Sequence, residues 1–406
     1  MNIGIVTTWF ERGAAMVSRA YRDILAPHHR VFIYARGGEQ YARRDPYWDQ
    51  GSVTWARRVG GGQESEVNWS EFKRWVLGKQ IDLLVFNEQR HWPTIILARR
   101  ELPTVIGAYV DYYTSVTVPF FRLYDFLLCN TRRHYSVFCD HPHALYVPWG
   151  TDCRLFSGMC EPVAPGSVVF FHSAGMNFRR KGTAIALRAF HHLEGPCRLV
   201  LHTQVPVSTD SEVRELSQAD DRVKVIEASV HAPGLYHLGD VYAYPTILEG
   251  IGLTVVEALA CALPVVTTDA PPMNEFVQDG INGRLVRALE YRGRADGYYW
   301  AESRCSAEGI REAMRYYIDN RARLREFKQC ARASAERNLD WSRNAGDLGA
   351  RLESLTGSFE RDEDLSELER QALRYSALRY SRRVLRTAFR RLGLDRLRVV
   401  ESLVYR

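Results

Sequence analysis

Two glutamates eight positions apart, Glu249 and Glu257, stand in a segment whose residue types could handle a phosphorylated ligand. The run Tyr244-Pro-Thr-Ile-Leu-Glu249-Gly-Ile-Gly-Leu-Thr-Val-Val-Glu257 reads as a strand, a glycine-containing loop and a helix, with one carboxylate in the loop and the other about a turn into the helix. Gly250 and Gly252 let a backbone approach a ligand closely, and the unpaired amides where the helix begins suit a phosphate. A carboxylate eight residues further on can accept hydrogen bonds from a vicinal diol such as ribose. One short segment can therefore hold a sugar, a diphosphate and a nucleoside together. Residue pattern alone leaves a plainer reading equally open, in which Glu249 caps the helix and Glu257 is a solvated helix residue. Glu257 lies among Val255, Val256, Ala258 and Leu259, however, and an acid in so apolar a stretch usually has a partner.

Such a segment has to be positioned by a larger frame, and 406 residues are enough for two domains and a tail. Short apolar runs bounded by turn residues recur at 3–6, 31–34, 83–86, 104–108, 126–129 and 145–147, with helix-like stretches such as 69–77 between them. They read as buried parallel strands with crossover helices. The pattern restarts after Pro162-Val-Ala-Pro-Gly166, at 168–171, 199–202, 223–226, 241–244 and 265–267, with helices at 183–193 and 253–261. The expected fold is α/β, with two tandem doubly wound domains facing each other across a cleft: an acceptor-side domain over 1–162 and a donor-binding domain over 163–340. Ligands of such pairs usually bind in the crevice at the carboxyl ends of the strands. A last helical region runs from 306 to 355, and its part over 341–357 is expected to return to the first domain. Residues 358–406 form a basic helical tail.

The composition excludes several classes. Hydrophobic residues make up 46% and charged residues 25%, which is ordinary soluble usage. No apolar run reaches the roughly 18 residues that span a bilayer, and the first ten residues enter a strand pattern directly, so the expected location is the cytosol. The eight cysteines form no C-x-x-C pair and no zinc spacing. His141-Pro-His143 completes no metal site, and Asp362-Glu-Asp364 lies in a charged run beyond both domains, so no metal is expected. Net charge is +6, but the 11 arginines between Arg370 and Arg406 face only Asp395 and Glu401, which leaves the body slightly acidic. That argues against a nucleic-acid surface. Within the tail Leu373, Ala377, Val384, Leu385, Ala388, Phe389 and Leu392 recur at helical steps among the arginines, a pattern that can lie on an anionic membrane surface, pack on the protein's own body or a partner, or hold nucleic acid through its basic residues.

The Glu249/Glu257 segment resembles retaining glycosyltransferases of the GT-B fold, specifically glycosyltransferase family 4, whose E-x7-E spacing these two residues meet. Ala258 to Val266, Asn274 to Val286, Pro148-Trp-Gly-Thr-Asp152 with Phe156, and Lys181-Gly182 opening a helix are also similar to the family's pattern. The resemblance implies a nucleotide diphosphate sugar as co-substrate, no required cofactor, and a glycan, lipid-linked or other hydroxyl acceptor in glycoconjugate synthesis. It implies that Glu257 binds the donor ribose, that Glu249 faces the transferred sugar, that the backbone of Gly250, Ile251, Gly252 and Leu253 lies near the phosphates, and that Lys181 neutralises the departing diphosphate. At the amino terminus only Gly13, followed by Ala14, is left of the family's glycine-rich loop.

Two departures matter. Met176 stands where the family has an arginine, and Arg179 or Arg180 either supplies the missing guanidinium from the same loop or belongs to a solvated basic loop. The family's acceptor-side histidine after the strand at 104–108 is absent, and Tyr109, Asp111 and Tyr112 occupy that region, either to touch the acceptor or to pack on a neighbour. A nicotinamide-dependent dehydrogenase is excluded for want of G-x-G-x-x-G after a strand. A catalytically degenerate sugar-nucleotide sensor or scaffold is the competing reading.

Overall fold

A computed structural model describes residues 1–36, 41–59, 65–357, 361 and 363–391, with side chains through 381. The first half builds one wholly parallel sheet from β1 (Asn2–Thr7), β2 (Arg30–Ala35), β3 (Val53–Trp55), β4 (Leu83–Asn87), β5 (Val105–Tyr109), β6 (Phe126–Cys129) and β7 (Ala144–Tyr146). Their order is β3-β2-β1-β4-β5-β6-β7. The second half repeats the plan with β8 (Val168–Gly175), β9 (Cys197–Thr203), β10 (Val223–Glu227), β11 (Val241–Tyr244), β12 (Val265–Asp269), β13 (Gly283–Arg292) and β14 (Glu302–Cys305). Its order is β10-β9-β8-β11-β12-β13-β14, with β14 antiparallel to β13.

The apolar runs become central strands because helices cover both faces of each sheet: β4 and β11 are buried along their whole lengths. In both sheets the winding reverses beside the first strand, between β1 and β4 and between β8 and β11. Crevices at such reversals are where doubly wound sheets take ligands. The loops after β8 and β11 carry Arg180, Lys181 and Glu249.

Three strands go beyond the sequence reading. β3 is only three residues long and half-buried, and β13 and β14 form an edge pair with charged residues facing out, so none of them presents a continuous apolar run. The region 306–355 is not one helix. It breaks into Ala307–Asp319, Leu324–Asn338, Trp341–Asn344 and Leu348–Gly357, the first break falling where Asn320 ends its helix.

The last two of these helices pack on the first domain. Trp341 Nε1 donates to the Ala20 carbonyl over 3.0 Å, and Leu348 and Leu352 join the core around Ala15, Val17 and Tyr21. The helix Ser366–Arg391 follows. Its Ala372 is fully buried against the first domain, with Leu365, Leu368 and Tyr375 beside it, and the Tyr375 and Phe120 rings lie 5.7 Å apart. Leu373 and Ala377, on the stripe read from the sequence, face solvent instead. The side chains of Val384, Leu385, Ala388 and Phe389, and Leu392 itself, lie outside the described residues, as does Asp362. Among the described residues no helix is long and apolar enough to cross a membrane.

Candidate active site

β11 ends at Tyr244, and the next five residues carry the chain to Glu249 at the mouth of the cleft. Two contacts fix this loop: the Ile247 amide donates to the Arg180 carbonyl over 2.8 Å, and Ser303 in β14 donates to the Ile247 carbonyl over 2.9 Å. Glu249 is 7% exposed. Lys181 Nζ at 2.5 Å, Tyr244 Oη at 2.8 Å and Thr246 Oγ1 at 2.9 Å all converge on its Oε1. Burial pushes the carboxyl up, but Lys181 and Arg180 outweigh it and hold Glu249 at about 2. Lys181 itself is depressed by burial, against the pull of Glu249.

The loop then turns into the helix Leu253–Ala260 through Gly252, whose φ of +90° is a left-handed conformation that a side chain resists. The first amides of that helix have no intrahelical carbonyl to bind and carry the positive end of its dipole. Glu257 is one turn in. Tyr236 Oη donates to its Oε2 over 2.6 Å, and burial raises its carboxyl to about 7.

A raised carboxyl has a consequence for folding. Glu257 contributes stability that is complete below the ordinary value of 4.5 and is lost as pH rises through about 7. Glu257→Gln should therefore gain on the unliganded parent as pH rises from 5 to 8. Melting temperatures of the two proteins across that range test it; a constant gap between them would show that the buried carboxyl does not titrate there.

The two arginines after Phe178 part company. Arg179 leaves the site, donating to Glu302 of β14 over 2.8 Å with its guanidinium largely in solvent. The charge of Glu249, helped by Tyr244 and Asp111, raises the basicity of Arg180, while burial and Arg12 oppose. Met176 is 63% exposed. Of the two candidates for the missing guanidinium, Arg180 is the one that the Glu249 charge acts on, while Arg179 is paired to Glu302.

The first domain closes the other wall. Gly13 comes close to the helix Leu253–Ala260: a Cβ there would lie 3.7 Å from Leu253 Cδ1. Ala14 accepts a 2.8 Å hydrogen bond from Asn87 at the end of β4. Asp111 comes close to the loop after Glu249, since a Cβ on Gly250 would meet its Oδ1 at 2.9 Å. Tyr109 is buried beside Tyr21, inside the domain rather than on the cleft wall. Tyr112 stacks on Tyr298 of the second domain at 5.3 Å with the Arg90 guanidinium 4.1 Å from its ring, and so packs on a neighbour.

Several residues here were missed in the sequence. Glu88 follows β4 with a left-handed φ of +52°, paired to Arg12 at 3.2 Å. Burial and the nearby Asp111 push its carboxyl up, against Arg12, Arg36 and Arg90. Backbone strain at the carboxyl end of a strand is common at functional sites, and the position directly after an apolar run was the available signal. Arg133 and His134, at the start of the helix Arg132–Phe138, reach across to the Glu249 loop, and Glu275 of the second domain accepts from the Arg132 and Arg133 amides at 2.6 and 2.9 Å. Among the described residues no group of three or more His, Cys, Asp or Glu side chains could hold a metal.

Residues 167–296 match the family described as glycosyl transferases group 1. The chain has the GT-B fold, and the match to this family lies in its second domain. Solved GT-B structures superpose on nearly all of it. Sucrose-phosphate synthase from Thermosynechococcus elongatus aligns with a TM-score of 0.68 at 16% identity, covering 88% of this chain and 100% of that one. HepE from Anabaena, solved with UDP and glucose, aligns with a TM-score of 0.66 at 16% identity, covering 87% and 100%. In sequence, the α-maltose-1-phosphate synthase of Mycolicibacterium smegmatis is 26% identical over 40% of this chain and 42% of its own length. The lipopolysaccharide core biosynthesis mannosyltransferase LpsB of Rhizobium meliloti is 27% identical over 33% and 34%. This chain thus spans well under half the length of these curated relatives. The matched group 1 segment contains Arg180, Lys181, Glu249, Gly252 and Glu257.

Proposed function

We propose that this group 1 glycosyltransferase transfers a sugar from a nucleotide diphosphate donor to a hydroxyl acceptor with retention of anomeric configuration. The observation that carries the reading is Glu249, buried and bound through one oxygen to Lys181, four residues before a helix start that suits phosphate and eight before a second buried acid. The second Glu249 oxygen is the acceptor that a donor-sugar hydroxyl meets. Lys181 has three hydrogens to give; one holds Glu249 and another meets the diphosphate as charge grows on it. Glu257 accepts from the ribose diol. The acceptor hydroxyl enters beside Asp111, attacks the anomeric carbon on the face that the diphosphate leaves, and gives its proton to the departing phosphate oxygen. HepE, which shares the fold, was solved with UDP and glucose, which supports a nucleotide sugar as donor.

A panel of uridine, guanosine and adenosine diphosphate sugars, read by thermal shift and then by donor hydrolysis and NMR of the product anomer, tests the reading. Binding of one donor and a product of unchanged anomeric configuration are expected. A protein that binds a donor yet neither hydrolyses nor transfers it is a sensor, and the proposal fails.

Arg180→Ala should lower turnover about 10- to 100-fold while donor affinity changes less, the pattern of an interaction made mainly in the transition state. Arg179→Ala should stay near the parent, because its guanidinium is already paired to Glu302 and largely in solvent. Steady-state kinetics of both variants decide, and equal losses would mean that the loop as a whole, not Arg180, supplies the effect.

A further inference from the structure

The Glu249 loop is not held by its own domain alone. Arg133 of the first domain binds the Glu249 carbonyl through Nη2, and the same nitrogen lies 3.2 Å from the Gly250 carbonyl. His134 Nε2 lies 3.1 Å from that Gly250 oxygen. On the far side of the imidazole, Tyr113 Oη is 2.9 Å from His134 Nδ1, and Trp300 Nε1 donates to Tyr113 Oη over 2.6 Å.

The direction of every bond in this relay is forced. An indole nitrogen only donates and a carbonyl only accepts. Nε2 must therefore carry the hydrogen that reaches Gly250, and in a neutral ring Nδ1 accepts from Tyr113, which receives the Trp300 hydrogen. A neutral ring satisfies all of these contacts, and burial favours one, holding His134 down to about 3. Trp300 arrives from the turn between β13 and β14, where the Tyr299 amide donates to the Tyr113 carbonyl over 2.9 Å and Tyr298 bridges to Thr114. The relay therefore starts in the second domain, crosses to the first and returns to the second.

Its end point is a peptide that needs an outside hold. Gly250 has no side chain to restrict its backbone. The Gly250 carbonyl and the Ile251 N–H belong to one planar peptide and point in opposite directions. Holding the oxygen aims the hydrogen, and the Glu249 carbonyl held by Arg133 aims the Gly250 N–H in the same way. If the domains part, both oxygens lose buried donors and the loop relaxes.

We propose that Arg133 and His134 are positioning residues that couple closure of the two domains to assembly of the phosphate-facing loop, so that the amides after Glu249 reach their working directions only when the first domain is docked. The inference rests on the donor-site reading above. Its test is calorimetric titration with uridine, guanosine and adenosine diphosphates and, for whichever binds, with the matching nucleoside. His134→Phe keeps a ring but removes both hydrogen bonds, and should weaken diphosphate binding about tenfold, the scale of one buried hydrogen bond. The nucleoside, which has no phosphate, should lose less than about twofold if the effect is confined to the loop. His134→Gln, which keeps a donor near the Nε2 position, should recover most of the loss. If the parent binds none of the diphosphates, the donor-site reading falls and takes this inference with it. If the parent binds one and His134→Phe binds it equally well, or if the nucleoside weakens as much as the diphosphate, the inference alone is overturned. Should His134→Phe lose its cooperative melting transition, Tyr113→Phe is judged by the same diphosphate-against-nucleoside comparison, with about a threefold loss expected from a weakened relay.

Discussion

Lys181→Ala is expected to lower turnover about 100- to 1,000-fold, the range seen when one preorganised charge-stabilising donor is removed from a closed site. Lys181 is 12% exposed in its side chain, and its ammonium is the nearest cation to the buried Glu249 carboxylate. Removing it also harms folding, because breaking a buried ion pair leaves an uncompensated charge at a cost of about 3 to 5 kcal/mol. The two effects separate in a second variant. In Lys181→Met/Glu249→Gln neither charge remains, so most of the lost melting temperature should return while turnover stays low. Chemical denaturation and single-turnover kinetics at saturating donor measure the two quantities. Turnover of Lys181→Ala within about threefold of the parent would remove the lysine from the reaction, since a group that meets the developing charge cannot have so mild an effect.

What the sequence discloses of this site, and what it does not, follows from how far apart the cooperating residues lie along the chain. Glu249, Gly252 and Glu257 sit within nine residues, so a strand, a loop and a helix start fix their relation and the pattern can be read directly. The central strands were legible for a related reason: each is buried on both faces and spells a continuous apolar run. β13 is different. Arg284, Arg287 and Glu290 interrupt its Leu285, Val286, Ala288 and Leu289, so it spells no continuous apolar run, and without it the edge strand β14 cannot be inferred.

That gap propagates into the site. Arg179 and Arg180 are neighbours, and nothing local distinguishes them. Glu302 does so by drawing Arg179 away to β14, the strand the sequence reading lacked. The contacts of Tyr113, His134, Gly250 and Trp300 join four distant parts of the chain and need the folded topology before they can be seen at all. The tail shows the same limit in another form. A helical stripe was legible from Leu373 onward, but the face that docks contains Leu368, Ala372 and Tyr375, because the partner surface around Phe120 chooses which face is buried.

Gly182→Ala should destabilise the protein by more than about 3 kcal/mol, through strain at a special backbone conformation combined with a backbone clash. Gly182 has a φ of +66°, and a Cβ placed on it would lie 1.9 Å from the Pro245 carbonyl oxygen. That oxygen cannot retreat cheaply, because Pro245 links β11 to the loop that carries Glu249. The glycine cannot retreat either. Thr183, the next residue, lies 2.9 Å from His172 Nε2, and His172 Nδ1 lies 2.7 Å from the Ala243 carbonyl of β11, so β8 and β11 grip the helix start between them. Any shift that relieves the clash moves Lys181 on one side or Glu249 on the other. Gly166→Ala is the control, since Gly166 has a similar φ of +77° but nothing lies within 4 Å of its Cβ position. That change should cost only the left-handed penalty of about 1 to 2 kcal/mol. Urea denaturation of both variants gives the comparison, and equal losses would show that Pro245 yields and that the close approach of the two loops is not what requires a glycine beside Lys181.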